Sequence, residues 1–418
     1  MALNQQHRWK VLAAGVAANV SFSCVIGGVP ATAVYLRSSY HLSNSELGLA
    51  LGILGLGIAV SEIPWGLLTD RWGDRPVLLT GLLSVALSLL ILAAFSAHTL
   101  TAPGLCLGLF AAGLLGSSVN GASGRAIMLW FQERERGLAM SIRQTAVPTG
   151  YALGAVLLPW LAHTYGFSVV FATAASLCLL CSGLVWFWIH EPGITQPKTE
   201  MPRLSPLRDK QVWRAVLAIS VLCAPQFAVL TYAGVYFHDA LGLSVTTVSL
   251  VLVVIQIGAV VGRLWSGHWT DQHNNRRAYL KGCALFCAVA FAGLSVIASV
   301  LETPSFLASI ALPIAVILAG IGVSIWHGVA YAELATLAGA QRSGTALSMG
   351  NSGVFLGLFL TPIAASATVS HWGWGALWAL CAVCGLVAAW LFAQASRAAK
   401  TLMDSRGKPK PLSQGLDE

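Results

Sequence analysis

The stretch Gly66-Leu67-Leu68-Thr69-Asp70-Arg71-Trp72-Gly73-Asp74-Arg75 decides the fold. It joins two long apolar runs, each of which is long enough to cross a bilayer core of about 30 Å as a helix. So short a connection predicts two antiparallel neighbouring helices, with Gly66 permitting close helix contact and Gly73 a tight reversal. Asp70, Arg71 and Arg75 then place charges of both signs at one membrane face.

The composition independently indicates a membrane protein. Of 418 residues, 56% are hydrophobic and only 10% are charged, and the mean hydropathy is +0.73. This excludes an ordinary soluble domain. The net charge of +8 does not indicate nucleic-acid binding, because the basic residues follow membrane topology. The Cys178/Cys181 and Cys381/Cys384 pairs lie in apolar runs without acidic or histidine companions, so we expect packing residues, no metal and no cofactor.

The chain contains an internal repeat. A register shift of 201 carries Gly66, Asp70 and Arg75 onto Gly267, Asp271 and Arg276. A second echo, with a shift of 207, carries the segment 137–141 onto 344–348 and Gln144 onto Asn351. Two parallel halves are therefore predicted.

The pattern Gly-x-Leu-x-Asp-Arg-x-Gly-x-Arg resembles the signature of the loop between helices 2 and 3 in the major facilitator superfamily, and the resemblance extends over residues 10–396. It implies an all-α integral membrane fold with twelve transmembrane helices in two pseudo-symmetric six-helix bundles, and a substrate held between them near the midplane. The expected divisions are an N-terminal bundle (1–190), a linker (191–211), a C-terminal bundle (212–396) and a tail (397–418).

The distribution of basic residues predicts the orientation. Twenty of the 24 lysines and arginines fall at the termini or in alternate loops, Arg37 alone falls in a loop on the other side, and three arginines lie inside predicted helices. Both termini, the linker and the tail are therefore expected in the cytoplasm of a multi-pass inner-membrane protein. A monomer in the lipid bilayer is expected.

Two of the intramembrane arginines are candidate substrate ligands. Arg125 and Arg143 lie on consecutive predicted helices, each about 9 Å from the same face. A cation at this depth needs a partner or a water-filled cavity, and a guanidinium matches a carboxylate. The alternative is a structural role, with Arg125 reaching the membrane surface and Arg143 paired with Glu62.

Glu62 and Arg263 occupy equivalent positions under the 201 shift. An acid and a base near the same ends of helices 2 and 8 could meet across the two halves as a gating salt bridge or a proton-sensitive switch. The alternative is pairing within each half. Together with Gly66, Asp70, Arg71, Gly73, Arg75 and Asp271, they form the predicted gating set.

Further polar residues lie on helices 1, 7, 10 and 11, of which the first three line the cavity in the family that this chain resembles. His327 could titrate near physiological pH and couple transport to protons, or simply be bonded to a neighbouring helix. The remaining candidates for substrate contact are Asn19, Gln226, Tyr232, Trp326 and Asn351.

The stretch 123–148 resembles bacterial superfamily members grouped near the cyanate, nitrate and organic-anion carriers. This resemblance implies a secondary transporter for a small organic anion, with a monocarboxylate preferred and proton coupling as an option. Efflux of an amphipathic drug-like or siderophore-like compound is the alternative within transporters. A non-transporting membrane sensor is the alternative from another class. No nucleotide motif supports ATP-driven pumping, and separated Arg, Glu and His residues do not form an enzyme site.

Overall fold

The computed structural model describes residues 5–96, 100–190, 205–237, 241–300 and 306–406, and within them the regular structure is helical throughout. The α-helices are α1 Gln5–Ala31, α2 Ala33–Ser39, α3 Asn44–Trp72, α4 Asp74–Ser96, α5 Ala102–Gly116, α6 Ser118–Trp130, α7 Arg136–Tyr165, α8 Phe167–Trp188, α9 Lys210–Val235, α10 Val245–His273, α11 Arg276–Val300, α12 Phe306–Gly322, α13 His327–Ala338 and α14 Ser343–Arg406.

The described residues form twelve spans, as the sequence predicts. Eleven helical stretches have the length and hydropathy to cross a membrane, and the last of them, Ala340–Gln394, holds two spans. These two spans meet at Gly373, where φ is +78°, a backbone conformation that favours glycine. Two further spans are interrupted in the middle. Ser117 separates α5 from α6, and a turn over 323–326 separates α12 from α13.

The predicted linker and tail are only partly described. Residues 191–204 and 407–418 lie outside the described residues. The rest of the linker contains a short turn, Pro206–Arg208, before α9 begins at Lys210. The predicted tail begins at Arg397, yet α14 continues to Arg406.

The burial pattern is inverted relative to that of a soluble protein. Glu62 is 0% exposed and Arg143 is 2% exposed, whereas Val156 and Val289 are 77% and 73% exposed. Apolar side chains on the outer surface match hydrocarbon, while the charged groups find partners inside the bundle.

The two halves, α1–α8 and α9–α14, meet along two seams. In the α3/α14 seam, α3 packs against the first span of α14, and in the α7/α10 seam, α7 packs against α10. Glycines bring the backbones close. A Cβ on Gly66 would lie 2.7 Å from the Cβ of Ser348, and one on Gly267 would lie 2.6 Å from the carbonyl oxygen of Gly137. Both contacts lie toward what we call the basic face, where α1 begins and where the α3–α4, α6–α7, α10–α11 and α13–α14 connections lie.

Candidate functional site

A cavity of about 120 Å³ lies between the two halves. Residues of α6 and α7 line it from the first half, and residues of α9, α10, α13 and α14 line it from the second. Its apolar wall includes Phe227 and Phe355. Its polar lining comprises Asn120, Arg143, Gln144, Tyr151, Gln226, Gln256, Arg263, His327, Tyr331 and Asn351.

Arg143 is fixed from within its own half. Its Nε donates to Ser123 Oγ at 3.0 Å and its Nη2 donates to the backbone oxygen of Asn120 at 2.5 Å. Among the described residues, Nη1 has no hydrogen-bond acceptor. One guanidinium edge is thus held rigidly by α6, and one donor group remains available at the cavity.

Arg263 holds the two halves together from the opposite wall. Its Nε donates to the oxygen of Ser324 at 2.8 Å, and its Nη1 donates to the oxygen of Gln144, in the other half, at 3.0 Å. The carbonyl of Ser324 lies in the turn between α12 and α13, where carbonyl groups are released from regular helical bonding. Nη2 of Arg263 makes no hydrogen bond within the described part of the chain.

Glu62 is at the centre of a buried chain of hydrogen bonds. Its Oε1 accepts from Asn120 Nδ2 at 2.6 Å, and its Oε2 accepts from Asn351 Nδ2, in the other half, at 3.4 Å. Asn120 Oδ1 accepts from Asn19 at 3.1 Å, and Asn351 Oδ1 accepts from the hydroxyl of Tyr331 at 2.6 Å. Both amide groups are thus oriented with their donors toward the carboxylate.

The hypothesis that Glu62 and Arg263 pair across the halves is wrong for this conformation. Glu62 belongs to the α3/α14 seam and Arg263 to the α7/α10 seam, so each reaches a neighbour in the opposite half on its own side. The alternative that Arg143 pairs with Glu62 is also wrong, because Asn120 lies between them and contacts both.

The polar residues repeat between the halves. Under the shift of 207, Asn19 corresponds to Gln226, Asn120 to His327, Ser117 to Ser324 and Gln144 to Asn351. The span interruptions at Ser117 and over 323–326 are therefore equivalent. The two inner contacts between the halves are equivalent as well, since Glu62 reaches Asn351 while Arg263 reaches the backbone of Gln144.

Arg125 does not line the cavity, which corrects its predicted place there. Its Nη1 lies 2.9 Å from Asp74 and its Nε 3.4 Å from Asp70, and its Nη2 donates to Gln341 of the other half at 3.4 Å. The depth estimate ignored the α3–α4 turn, which folds both carboxylates against α6. The charge of Arg125 is compensated by protein, so the reason for expecting an anion there is gone.

Of the other predicted contacts, Gln226, His327 and Asn351 line the cavity, whereas Asn19, Tyr232 and Trp326 do not. Asn19 donates instead to Asn120, which does line the cavity. The hydroxyl of Tyr232 donates to the backbone of Pro362 at 3.0 Å. Trp326 is fully buried and stacks on His327 with ring centroids 4.0 Å apart.

The loop motif closes the basic face. Asp70 accepts hydrogen bonds from the backbone N–H groups of Gly344 and Thr345, both at 2.9 Å, at the start of α14. Asp271 accepts equivalent bonds from Gly137 and Leu138, at 3.0 and 2.8 Å, at the start of α7. Each half thus caps a helix of the other, where a helix N-terminus favours negative charge.

The other motif residues shape and anchor the turn. Gly73 adopts φ +92°, as a tight reversal requires. Arg75 lies over the ring of Trp186, 4.4 Å from its centroid. Arg71 is exposed at the end of α3.

Sequence reasoning missed Asn120, Tyr331, Gln256 and Tyr151 among the cavity residues. Two signals were present. Asn120 is the repeat partner of His327, and Tyr331 follows His327 by four positions on α13, which places both on one helix face.

Comparison with known proteins supports this architecture. The family model described as "Major Facilitator Superfamily" matches residues 14–314. An uncharacterized MFS-type transporter of Mycobacterium tuberculosis is 28% identical over 383 residues, which cover 91% of this chain and 84% of that protein. In solved structures, the fold matches the proton:xylose symporter XylE with a TM-score of 0.78 at 18% identity, covering 94% of this chain and 96% of that one.

Two relatives whose names state a function match parts of the chain. A hexuronate transporter of Bacillus subtilis is 23% identical over 252 residues, covering 57% of this chain and 58% of that protein. A multidrug resistance protein of Salmonella dublin is 30% identical over 182 residues, covering 43% and 44%.

Proposed function

This chain belongs to the Major Facilitator Superfamily, and we propose that it moves a small organic anion, with a monocarboxylate as the preferred class, across the membrane by alternating access. The observation that carries the proposal is the pair Arg143 and Arg263. One guanidinium from each half lines the same cavity, and each keeps one Nη group without a protein acceptor among the described residues.

Electrostatics favours an anion at this place. Glu62 is the one carboxylate that bonds into the surrounding described network, so two guanidinium groups face one buried acid. A buried cation without compensation costs several kcal/mol, and a carboxylate entering from water removes that cost. The relative named as a hexuronate transporter supports the same class, because a hexuronate is a monocarboxylate sugar acid.

The positive-inside rule places the basic face in the cytoplasm, and with it both termini. The two aspartate caps and the two inner contacts lie between the cavity and that face. We therefore assign this conformation as closed to the cytoplasm. Alternating access then requires both seams to separate on the cytoplasmic side while the halves approach on the other.

Uptake into proteoliposomes tests the substrate class. Purified protein is assayed by counterflow of labelled lactate and D-glucuronate, with xylose as the uncharged comparison. We expect exchange of at least one carboxylate, a fall of more than tenfold in R143Q and in R263Q, and wild-type exchange in R37Q, whose arginine is exposed far from the cavity. The transported carboxylate should also raise the melting temperature of the wild type alone.

Efflux of an amphipathic compound remains the second candidate, because one wall of the cavity is apolar and aromatic and a multidrug resistance protein is among the relatives. Ethidium is included in the same vesicles for this reason. Transport of ethidium together with no exchange of either carboxylate would refute the anion proposal, as would normal carboxylate exchange in both arginine variants.

A further inference from the structure

The two seams carry buried ties of opposite charge at equivalent positions. In the α3/α14 seam, the tie is the carboxylate of Glu62 with the amide of Asn351. In the α7/α10 seam, the tie is the guanidinium of Arg263 with the backbone of Gln144. The two contacts occupy equivalent positions, yet one is made by an acid and the other by a base. The α3/α14 seam can therefore bind a cation such as a proton, whereas the α7/α10 seam can bind an anion.

We propose that Glu62 binds the coupling proton and that the transporter is therefore an anion–proton symporter. The identity of the cotransported anion rests on the proposed function. The proton-dependent change of conformation does not, and it is tested without substrate. It assigns the anion to the Arg263 side of the cavity and the proton to the Glu62 side.

The surroundings of Glu62 show why a proton can bind to its carboxylate. The carboxylate is 0% exposed and accepts hydrogen bonds from an amide of each half. The ionisable groups that face it are Arg143, from α7, and Tyr331, from α13, and neither forms an ion pair or a direct hydrogen bond with it. The negative charge of Glu62 is balanced by Arg143 without direct contact. A proton can therefore neutralise the carboxylate without breaking a salt bridge.

Protonation weakens the tie for a geometric reason. In the ionised form, both carboxylate oxygens accept amide N–H groups. A proton on Oε2 forms an O–H group that faces the Nδ2 donor of Asn351. The nearby amide oxygens are already used, since Asn120 Oδ1 accepts from Asn19 and Asn351 Oδ1 accepts from Tyr331. The Ser348 hydroxyl, also of the other half, faces the carboxylate and can accept the proton, but this neutral bond replaces stronger charge-assisted ones. The ionised form therefore stabilises the seam observed here, and the protonated form releases it.

The anion acts on the other seam by competition. Arg263 lines the cavity, and its Nη1 donates to the oxygen of Gln144. A carboxylate that takes the guanidinium edge would draw it away from that neutral carbonyl, because charge-assisted bonds are stronger. The proton thus loosens the α3/α14 seam, and the anion loosens the α7/α10 seam. The cytoplasmic side opens fully only when both are bound, which is the condition for coupled movement.

The first test is transport in proteoliposomes with the carboxylate identified by counterflow. For one proton per monoanion, an inside pH one unit higher should give about tenfold accumulation by the wild type. E62Q is expected to retain counterflow exchange but to lose accumulation, reaching a ratio of about one. E46Q carries the same substitution on the same helix, at an exposed capping position, and should behave as the wild type.

The second test needs no substrate. Spin labels at Trp72 and Trp213, exposed residues of the two halves on the α3/α14 side of the basic face, report the opening of that seam in a background without the nine native cysteines. Lowering the pH should increase the long-distance population in the wild type and in E46Q. E62Q should show the increased population at every pH.

Each outcome decides the proposal. Accumulation by E62Q that matches the wild type, or a pH response that persists in E62Q, would overturn it. A wild-type distance distribution that does not respond to pH would overturn it as well. Failure of every carboxylate to exchange would refute the proposed substrate class, and the distance measurement would still decide whether Glu62 binds a proton that opens the seam.

Discussion

Replacing Asp70 with asparagine should shift the protein toward the conformation open at the basic face. Asp70 lies at the end of α3 and accepts three hydrogen bonds from the start of α14. They come from the N–H of Gly344 at 2.9 Å, the N–H of Thr345 at 2.9 Å and the hydroxyl of Thr345 at 2.5 Å. All three cross between the halves, so they exist only while the α3/α14 seam is closed at this end.

The size of the free-energy change depends on which contacts of the Asp70 carboxylate an asparagine can still make. Its single oxygen keeps part of the acceptor geometry, but its NH2 group faces donors, and the negative charge at the N-terminus of α14 is lost. A hydrogen bond to a charged group is worth about 1.5–3 kcal/mol and a helix-end charge about 0.3–1 kcal/mol. The loss of roughly one charged bond and the helix-end charge gives about 2.7 kcal/mol, which is a population shift of about 100-fold.

Spin-label distances between positions 72 and 213, on the α3/α14 side of the basic face, measure this shift. D209N is the matched control, because Asp209 accepts from the backbone N–H of Gln211 at 2.7 Å and thus caps α9 within its own half. D209N should lower the melting temperature slightly and leave the distance distribution unchanged. The reasoning is refuted if D70N leaves the distribution unchanged, or if D209N shifts it equally.

Three further predictions concern other contacts in the bundle. Gly66→Ala should also favour the open basic face, because its Cβ would lie 2.7 Å from the Cβ of Ser348 across the seam. Gly52→Ala is the control: its Cβ would meet no atom within 4 Å, so the same distance measurement should show no effect. Arg125→Gln removes the ion pair with the buried Asp74, so thermal unfolding should show a loss of about 3–5 kcal/mol. The KM of the carboxylate should stay within about twofold, and a KM raised about tenfold would return this arginine to the substrate site. Tyr331→Phe removes the buried hydrogen bond of 2.6 Å to Asn351, which is worth about 1 kcal/mol. Substrate affinity measured by calorimetry should therefore fall about fivefold. Unchanged affinity would show that the Asn351 amide does not contact substrate.

The sequence determined the architecture because the signals are local. Runs of about 20 apolar residues can only be spans in a bilayer, and a short charged turn such as 66–75 can only join neighbouring antiparallel helices. The two register shifts likewise revealed two halves, since repeated sequence folds into repeated structure. The helical, twelve-span prediction is confirmed for these reasons.

Tertiary structure alone decided which polar groups meet. Arg125 and Arg143 have similar depth and similar neighbours in sequence, yet Arg125 meets carboxylates from the α3–α4 turn while Arg143 reaches the cavity. Likewise, Glu62 and Arg263 correspond in the repeat, but packing places them in separate seams. Depth along a helix is fixed by residue count, whereas the partner of a side chain depends on helix rotation and on which half faces it. These are properties of the packed bundle, and no single segment of sequence contains them.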